Sequence, residues 1–336
     1  MKSSILTLFI AIGSLVGEKS PINEYLEKIK IGKPVEYRNL KIFPILLTKQ
    51  TAQTYITLDE AMSRGWLKIR ESGSGEVNFV ELKNDGKEVI FIMTGEIITG
   101  AKQDRMLKED LLIPPKSKWI KVPVYCVEQG RWVAVSKEFR SENLLAPNAI
   151  RQKAKISESQ TAVWSEIRKK QEEMGIFSET QTVRANYEDE RIKKELAKYT
   201  QKFKNIPKLS KFTVGVVATT GERIICFDMF SNNALFEKLW EKLIKSYVMD
   251  ALSEKKSSVN RKDVKEFVES IKKAKTIPIE TPGLGKLAKI ETESGKGGAL
   301  LYKNAIVHLD FFPKTSSPDE EPGLRLDIRR EERLRE

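Results

Sequence analysis

The chain has 336 residues, with 59 Lys and Arg against 47 Asp and Glu, a formal net charge of +12 at pH 7, one histidine and two cysteines. About 320 residues beyond the N-terminal segment suffice for one large domain or two modest ones with real cores, which excludes disorder over the whole chain. The basic excess is diffuse, with Lys alternating with Glu over 168–173 and 188–198; this is the pattern of solvated helix faces, and it lacks the aromatic-interleaved basic stripe of a nucleic-acid binder.

A lone histidine and the lack of a CxxC pair argue against zinc, so no metal and no cofactor is expected. High Lys and Glu with few Cys and His also resembles a heat-adapted composition.

Lys2 precedes an apolar and small-residue run from Ile5 to Gly17. The run is shorter than the ~20 residues of a comfortable bilayer span and fits a secretory signal, so the chain is expected to be exported, periplasmic or extracellular. Leu15 and Gly17 replace the small-x-small cleavage pattern, which leaves an uncleaved membrane anchor as the alternative and the only expected membrane contact. A buried N-terminal helix is the third reading. No cysteine lies near the run, which argues against lipid anchoring.

Residues 30–145 read mainly as strands. Leu40 to Leu47 is an apolar run, and Thr57-Leu-Asp-Glu60 is a capping box opening a short helix that ends at Gly65. Asn84-Asp85-Gly86 between Val77–Leu82 and Glu88–Met93 predicts one hairpin, and Glu128-Gln129-Gly130 between Lys118–Val127 and Arg131–Val135 a second.

From Pro147 to 206 the period is helical, a helical insertion. Ser157-Glu-Ser-Gln160 predicts a helix reaching Met174 and stopped by Gly175, Ser178 to Arg184 a polar loop, and Ile192, Leu196, Tyr199 and Phe203 the stripe of a second helix.

Residues 207–312 mix both types. Phe212–Ala218 and Arg223–Phe230 flank Thr220-Gly221 as a hairpin, and Ser231-Asn232-Asn233 caps a helix with Phe236, Trp240, Leu243, Tyr247 and Ala251 on one face. Asn260 opens another, with Val264, Phe267, Val268 and Ile271 inward, and strands follow at Leu287–Glu291, Ala299–Tyr302 and Ile306–Phe312. The expected fold is a single α+β domain over 30–312: an antiparallel sheet or sandwich core, a helical insertion and a helix-rich second half. The tail from Pro313 to 336 is charged and reads as disordered or loosely helical.

The stretch from Gly95 to Trp132 carries the candidate chemistry. Gly95 and Gly100 free the backbone to turn or bulge beside Glu96, Gln103, Asp104 and Arg105. A hairpin turn would return Arg131 to Glu128, and strand alternation puts Cys126 on the side of Glu128. Gln103, Arg105 and Arg131 suit a phosphate or carboxylate, because guanidinium forks hold such groups bidentately. Trp132 and Trp164 offer rings for stacking or packing. If Glu96 and Glu128 lie close and partly buried, their pKa values are driven apart and they can act as acid and base. The same charges also fit a purely structural network.

Cys126 and Cys226 lie in strand-like apolar runs, and two buried thiols are favoured over a bridge. Cys126 as a nucleophile lacks a base other than carboxylates.

GEIITGAKQDRML, VPVYCVEQGRW, FDMF ahead of LWEKLIKSYVMDAL, and GGALLYKNAIVHLDFF resemble the successive motifs of the ADP-ribosylglycohydrolase-and-rhodanese-phosphatase-associated protein domain family, over about Gly32 to Phe312. The resemblance implies a link to ADP-ribose or phosphate-related metabolism and supplies no catalytic residues. It also raises the expectation that Asp228, Tyr247, Asp250 and His308 join the first site.

The sequence thus ranks three functions. First is a binding module for a small anionic or sugar-phosphate-like ligand at Gln103, Arg105, Arg131 and Trp132. Second is a hydrolase using Glu96 or Glu128, and third an envelope interaction domain docking an unspecified protein through its charged helices.

Overall fold

The computed structural model describes residues 21–73 and 76–314. The signal-like segment 1–17 and the tail from residue 315 onward lie outside the described residues.

A nine-stranded antiparallel sheet forms the centre. Its order is Ile29–Ile31, Leu40–Leu47, Thr213–Thr220, Arg223–Phe230, Ala305–Pro313, Gly295–Tyr302, Lys286–Thr292 and Lys275–Ile279, with Val35–Tyr37 also paired to Leu40–Leu47. Thr213–Thr220 is buried at every position, because helices cover both faces. Helices Asn148–Ser157, Gln160–Met174, Glu190–Phe203 and Asn233–Ala251 share a core with one face; Pro21–Lys28 and Arg261–Lys272 share a core with the other.

A six-stranded sheet runs Phe139–Leu145, Glu96–Gly100, Arg105–Leu107, Ile120–Cys126, Phe79–Asn84 and Leu67–Glu71, and a three-stranded one runs Leu111–Ile113, Ile90–Ile92 and Ile56–Thr57. A third core, with Val80, Leu82, Ile90, Ile92, Leu107, Leu111 and Val122, lies between them. The chain is an α+β protein.

Local signals fixed the element ends well. Thr57 and Glu60 form the reciprocal capping box of Leu58–Ser63, and Asn232 and Asn260 cap Asn233–Ala251 and Arg261–Lys272. Ile192, Leu196, Tyr199 and Phe203 are the buried stripe of Glu190–Phe203. Thr213–Thr220 and Arg223–Phe230 pair as the expected hairpin.

Two expected hairpins do not form. Strand Phe79–Asn84 pairs with Leu67–Glu71 and Ile120–Cys126, while Ile90–Ile92 joins the other sheet. The Asn84 turn exists, since Gly86 N–H donates to Asn84 Oδ1 at 2.8 Å, but Asn84 Nδ2 donates to the Glu88, Ile113 and Pro114 carbonyls and steers the chain across to the second sheet. Residues 131–135 form no strand; Ile120–Cys126 pairs with Arg105–Leu107 and Phe79–Asn84 instead, and the next strand, Phe139–Leu145, joins Glu96–Gly100. The helix expected from Ser157 starts at Gln160 with Ser159 as its cap, because Glu158 is the left-handed C-cap of a preceding helix, Asn148–Ser157.

Candidate functional site

Three strands build the first cluster. Arg105 pairs in register with Ile98 on one side and Cys126 on the other. Gly100 adopts φ +111 and Gly95 φ +88, where a Cβ would press on Ser136 Oγ at 2.6 Å and on the Arg151 side chain at 2.9 Å, so both positions need glycine.

Beyond Cys126 the chain turns back. Arg131 Nη2 donates to Glu128 Oε2 at 2.5 Å and lies 3.3 Å from Asp104 Oδ1. Glu128 also accepts from the Asp104 N–H at 3.0 Å and from Thr180 at 2.9 Å, and Asp104 from the Gly100 N–H and Thr182, each at 3.0 Å. Gln103 donates to the Glu128 carbonyl at 2.9 Å and accepts from Arg105 Nη1 at 2.8 Å.

Arg105 is 0 % exposed, and its Nε and Nη2 have no hydrogen-bond partner among the described residues. Its nearest carboxylate, Glu71, stands 3.7 Å away and also keeps a bare Oε2. Trp132 is 48 % exposed, with its ring 6.0 Å from the Arg105 guanidinium and 5.1 Å from Lys102 Nζ.

Electrostatics divide the carboxylates. Burial pushes Glu128 up, but the Arg131, Asp104 N–H and Thr180 hydrogen bonds outweigh it, and its pKa falls below the ordinary range. Burial and then repulsion from Glu128 raise Asp104 despite its own hydrogen bonds.

Glu96 is elsewhere. It is fully buried, its Oε1 meets Lys242 Nζ at 2.5 Å and its Oε2 accepts from the Met93 N–H at 2.7 Å. Lys242 also bonds Asp59, which accepts from Ser141. Burial raises Glu96 more than Lys242 lowers it. Glu96 and Glu128 therefore share no partner, and the acid–base pairing that depended on their proximity is not assembled.

Asp228, Tyr247 and His308 do come together, in a second cluster of their own. Asp228 takes both terminal nitrogens of Arg151 at 3.1 and 2.7 Å, the Tyr247 hydroxyl at 2.6 Å and His308 Nε2 at 3.3 Å. His308 Nδ1 lies 2.8 Å from Asp110, and Phe230 stacks on the ring at 4.5 Å. Facing carboxylates at both nitrogens requires the doubly protonated imidazolium. Burial lowers the pKa of His308, but Asp110 and Asp228 overcome it and raise it to about 9. Burial likewise opposes ionisation of Asp228, yet Arg151 and His308 hold it far below the ordinary carboxylate range.

Asp250 sits one turn from Tyr247 and accepts from the Ala149 N–H and Asn148, each at 3.1 Å. It caps a helix whose own N-cap, Pro147, has no side chain to do so. The partners of this cluster are not those of Glu128, so the expected union with the first site does not occur.

Cys126 and Cys226 are buried free thiols. Burial raises both, and Cys126 Sγ lies 3.4 Å from the Glu128 carbonyl, with Arg105 and Trp164 acting on it more weakly than burial does. Trp164 packs against the main core.

Sequence reading missed Lys242, Arg151, Asp110, Thr180 and Thr182. A signal existed for Lys242: Asn233–Ala251 is buried nearly all round from Leu239 onward, so any charge there must be paired. Thr180 and Thr182 carry none, since they arrive from a loop some 50 residues away. Among the described residues, no group of three or more His, Cys, Asp or Glu is arranged to hold a metal ion, and no helix is long and apolar enough to cross a membrane.

The family model described as the ARG and Rhodanese-Phosphatase-superfamily-associated Protein domain, ARPP-1, matches residues 28–312. The chain belongs to this family. No curated protein and no solved structure matches it significantly.

Proposed function

We propose that this domain is a binding module for a small anionic or sugar-phosphate-like ligand, taken at Gln103, Arg105, Arg131 and Trp132. One observation carries the reading: the Arg105 guanidinium is wholly buried while, among the described residues, Nε and Nη2 have no acceptor within hydrogen-bond distance, Glu71 Oε2 standing off at 3.7 Å from Nη2. Leaving a buried donor bare costs on the order of 1–3 kcal/mol, more for a charged group, and a phosphate or carboxylate matches that Nε–Nη2 edge bidentately. Half-exposed Trp132 offers a ring for a sugar or base to stack on. Entry requires its loop to swing aside, because Arg105 has no exposed surface. The phosphatase association in the family's description is consistent with a phosphate-bearing ligand.

A hydrolase has less support, since Glu96 is locked to Lys242 and Glu128 is tied to Arg131. Thermal unfolding with ADP-ribose, ribose 5-phosphate or inorganic phosphate tests the binding reading. A ligand at 100 times its Kd should add about 2.7 kcal/mol without turnover, and Trp132→Ala or Arg105→Lys should abolish that gain while circular dichroism stays native. No stabilisation by any of the three, or an equal gain in both variants, would overturn it.

A further inference from the structure

The two faces of the central sheet are not covered alike. On the face carrying Phe43, Ile45, Val217 and Phe227, the cover is one 8-residue and one 12-residue helix, Pro21–Lys28 and Arg261–Lys272. Between the end of the first, the edge strand Ile29–Ile31 and the second lies a groove of about 550 Å³. Among the described residues, strand Ile29–Ile31 pairs only with Leu40–Leu47, so its outer edge borders the groove.

Leu26 and Val268 are buried in its floor, and Ile29 and Ile31 are half-buried beside them. Lys30, Arg261, Lys262, Lys265 and Lys272 form the rim; Glu269 in the lining is bound to Lys272 at 2.7 Å, and Lys262 meets the exposed Glu266 at 3.8 Å. Arg261, Lys265, Val268 and Lys272 recur at spacings of three and four, so a single helix face supplies both apolar floor and cationic rim. Arg261 also caps the edge by donating to the Ile31 carbonyl. The volume lies within the range of small-ligand clefts, roughly 300–1,000 Å³.

Such a trough matches an anion carried on an alkyl chain. Inorganic phosphate would leave the floor wet, and a flat bilayer surface would not reach the bottom of a concave groove. We propose that this groove binds a single-chain anionic amphiphile, the chain lying over Leu26, Ile29, Ile31 and Val268 and the carboxylate or phosphate head meeting Lys262 and Lys265. The site is separate from Arg105.

Calorimetric titration with decanoate and dodecanoate below their micellar concentrations tests it. Binding should saturate at one molecule per chain and tighten about fourfold per added methylene, while neutral decanol binds at least tenfold more weakly. Lys262→Glu with Lys265→Glu, both at exposed positions, should weaken decanoate more than tenfold at an unchanged melting temperature. Ile29→Trp should do so by filling the trough, and Trp132→Ala should leave decanoate binding intact. Non-saturating binding, affinity independent of chain length, or full affinity in Ile29→Trp would overturn the proposal. So would sedimentation with phosphatidylglycerol vesicles in the absence of any decanoate binding, which would make the surface a bilayer contact.

Discussion

His308 should make the stability of this protein fall on the alkaline side of neutrality. Its ring is 0 % exposed, with Asp110 2.8 Å from Nδ1 and Asp228 3.3 Å from Nε2; Arg151 and Tyr247 also bind Asp228, and Thr94 N–H donates to Asp110. The folded pKa is raised from 6.5 to about 9. A group whose folded pKa exceeds its unfolded one contributes fully below the unfolded value and loses that contribution as pH rises through the folded one. The window is therefore pH 6.5 to about 9. At about 1.4 kcal/mol per pH unit, the loss across it is about 3 kcal/mol, a large share of the 5–15 kcal/mol typical of a domain. Urea unfolding at pH 6, 7.5, 9 and 10 measures it, with His308→Gln as the reference that carries every other titration. The wild type should lose about 3 kcal/mol more than the variant between pH 6 and 10. Parallel pH profiles would show that His308 is not the imidazolium its geometry requires.

Glu96→Gln should cost about 3–5 kcal/mol in the same assay, because it leaves the Lys242 ammonium buried against one partner, Asp59. Adding Lys242→Met should recover part of that loss; additive losses would mean that the two groups do not act as a pair. Cys126 and Cys226, buried and with thiol pKa values raised, should resist an aromatic disulfide reagent in the native protein and react fully in denaturant. Rapid labelling of either native thiol would contradict their packing.

Chain-local features were legible because local physics decides them. The eight-residue run Leu40–Leu47 became a strand with the expected ends, and the Thr57, Asn232 and Asn260 caps satisfied N–H groups that a helix start always leaves bare. Pairing of elements was not legible. Asn84 makes the turn its sequence announces, yet its amide spends both donors on carbonyls at 88, 113 and 114, and only the folded sheet places Ile113 and Pro114 there. After Glu128 the edge is taken by Thr182, from a loop far along the chain, so residues 131–135 have no strand to pair with. The Glu128–Arg131 contact, three residues apart, was within reach of sequence reasoning; the threonines that complete it were not.

The same distinction decides which functional reading retains support. Glu96 and Gly100 are the ends of one strand, and at about 3.3 Å per residue four steps separate them by about 13 Å. Because Gly100 N–H is bonded to Asp104, which is bonded through Arg131 to Glu128, that strand holds Glu96 and the Glu128 corner at opposite ends. Proton transfer between the two glutamates would require breaking the sheet that carries them. Anion binding requires less: Gln103 and Arg105 lie two residues apart on the same chain, Arg131 and Trp132 are adjacent, and the 129–138 loop that joins them contains no strand. A charged constellation dispersed in sequence therefore leaves Glu96 and Glu128 apart, whereas the anion site proposed above depends only on groups that one turn and one loop bring together.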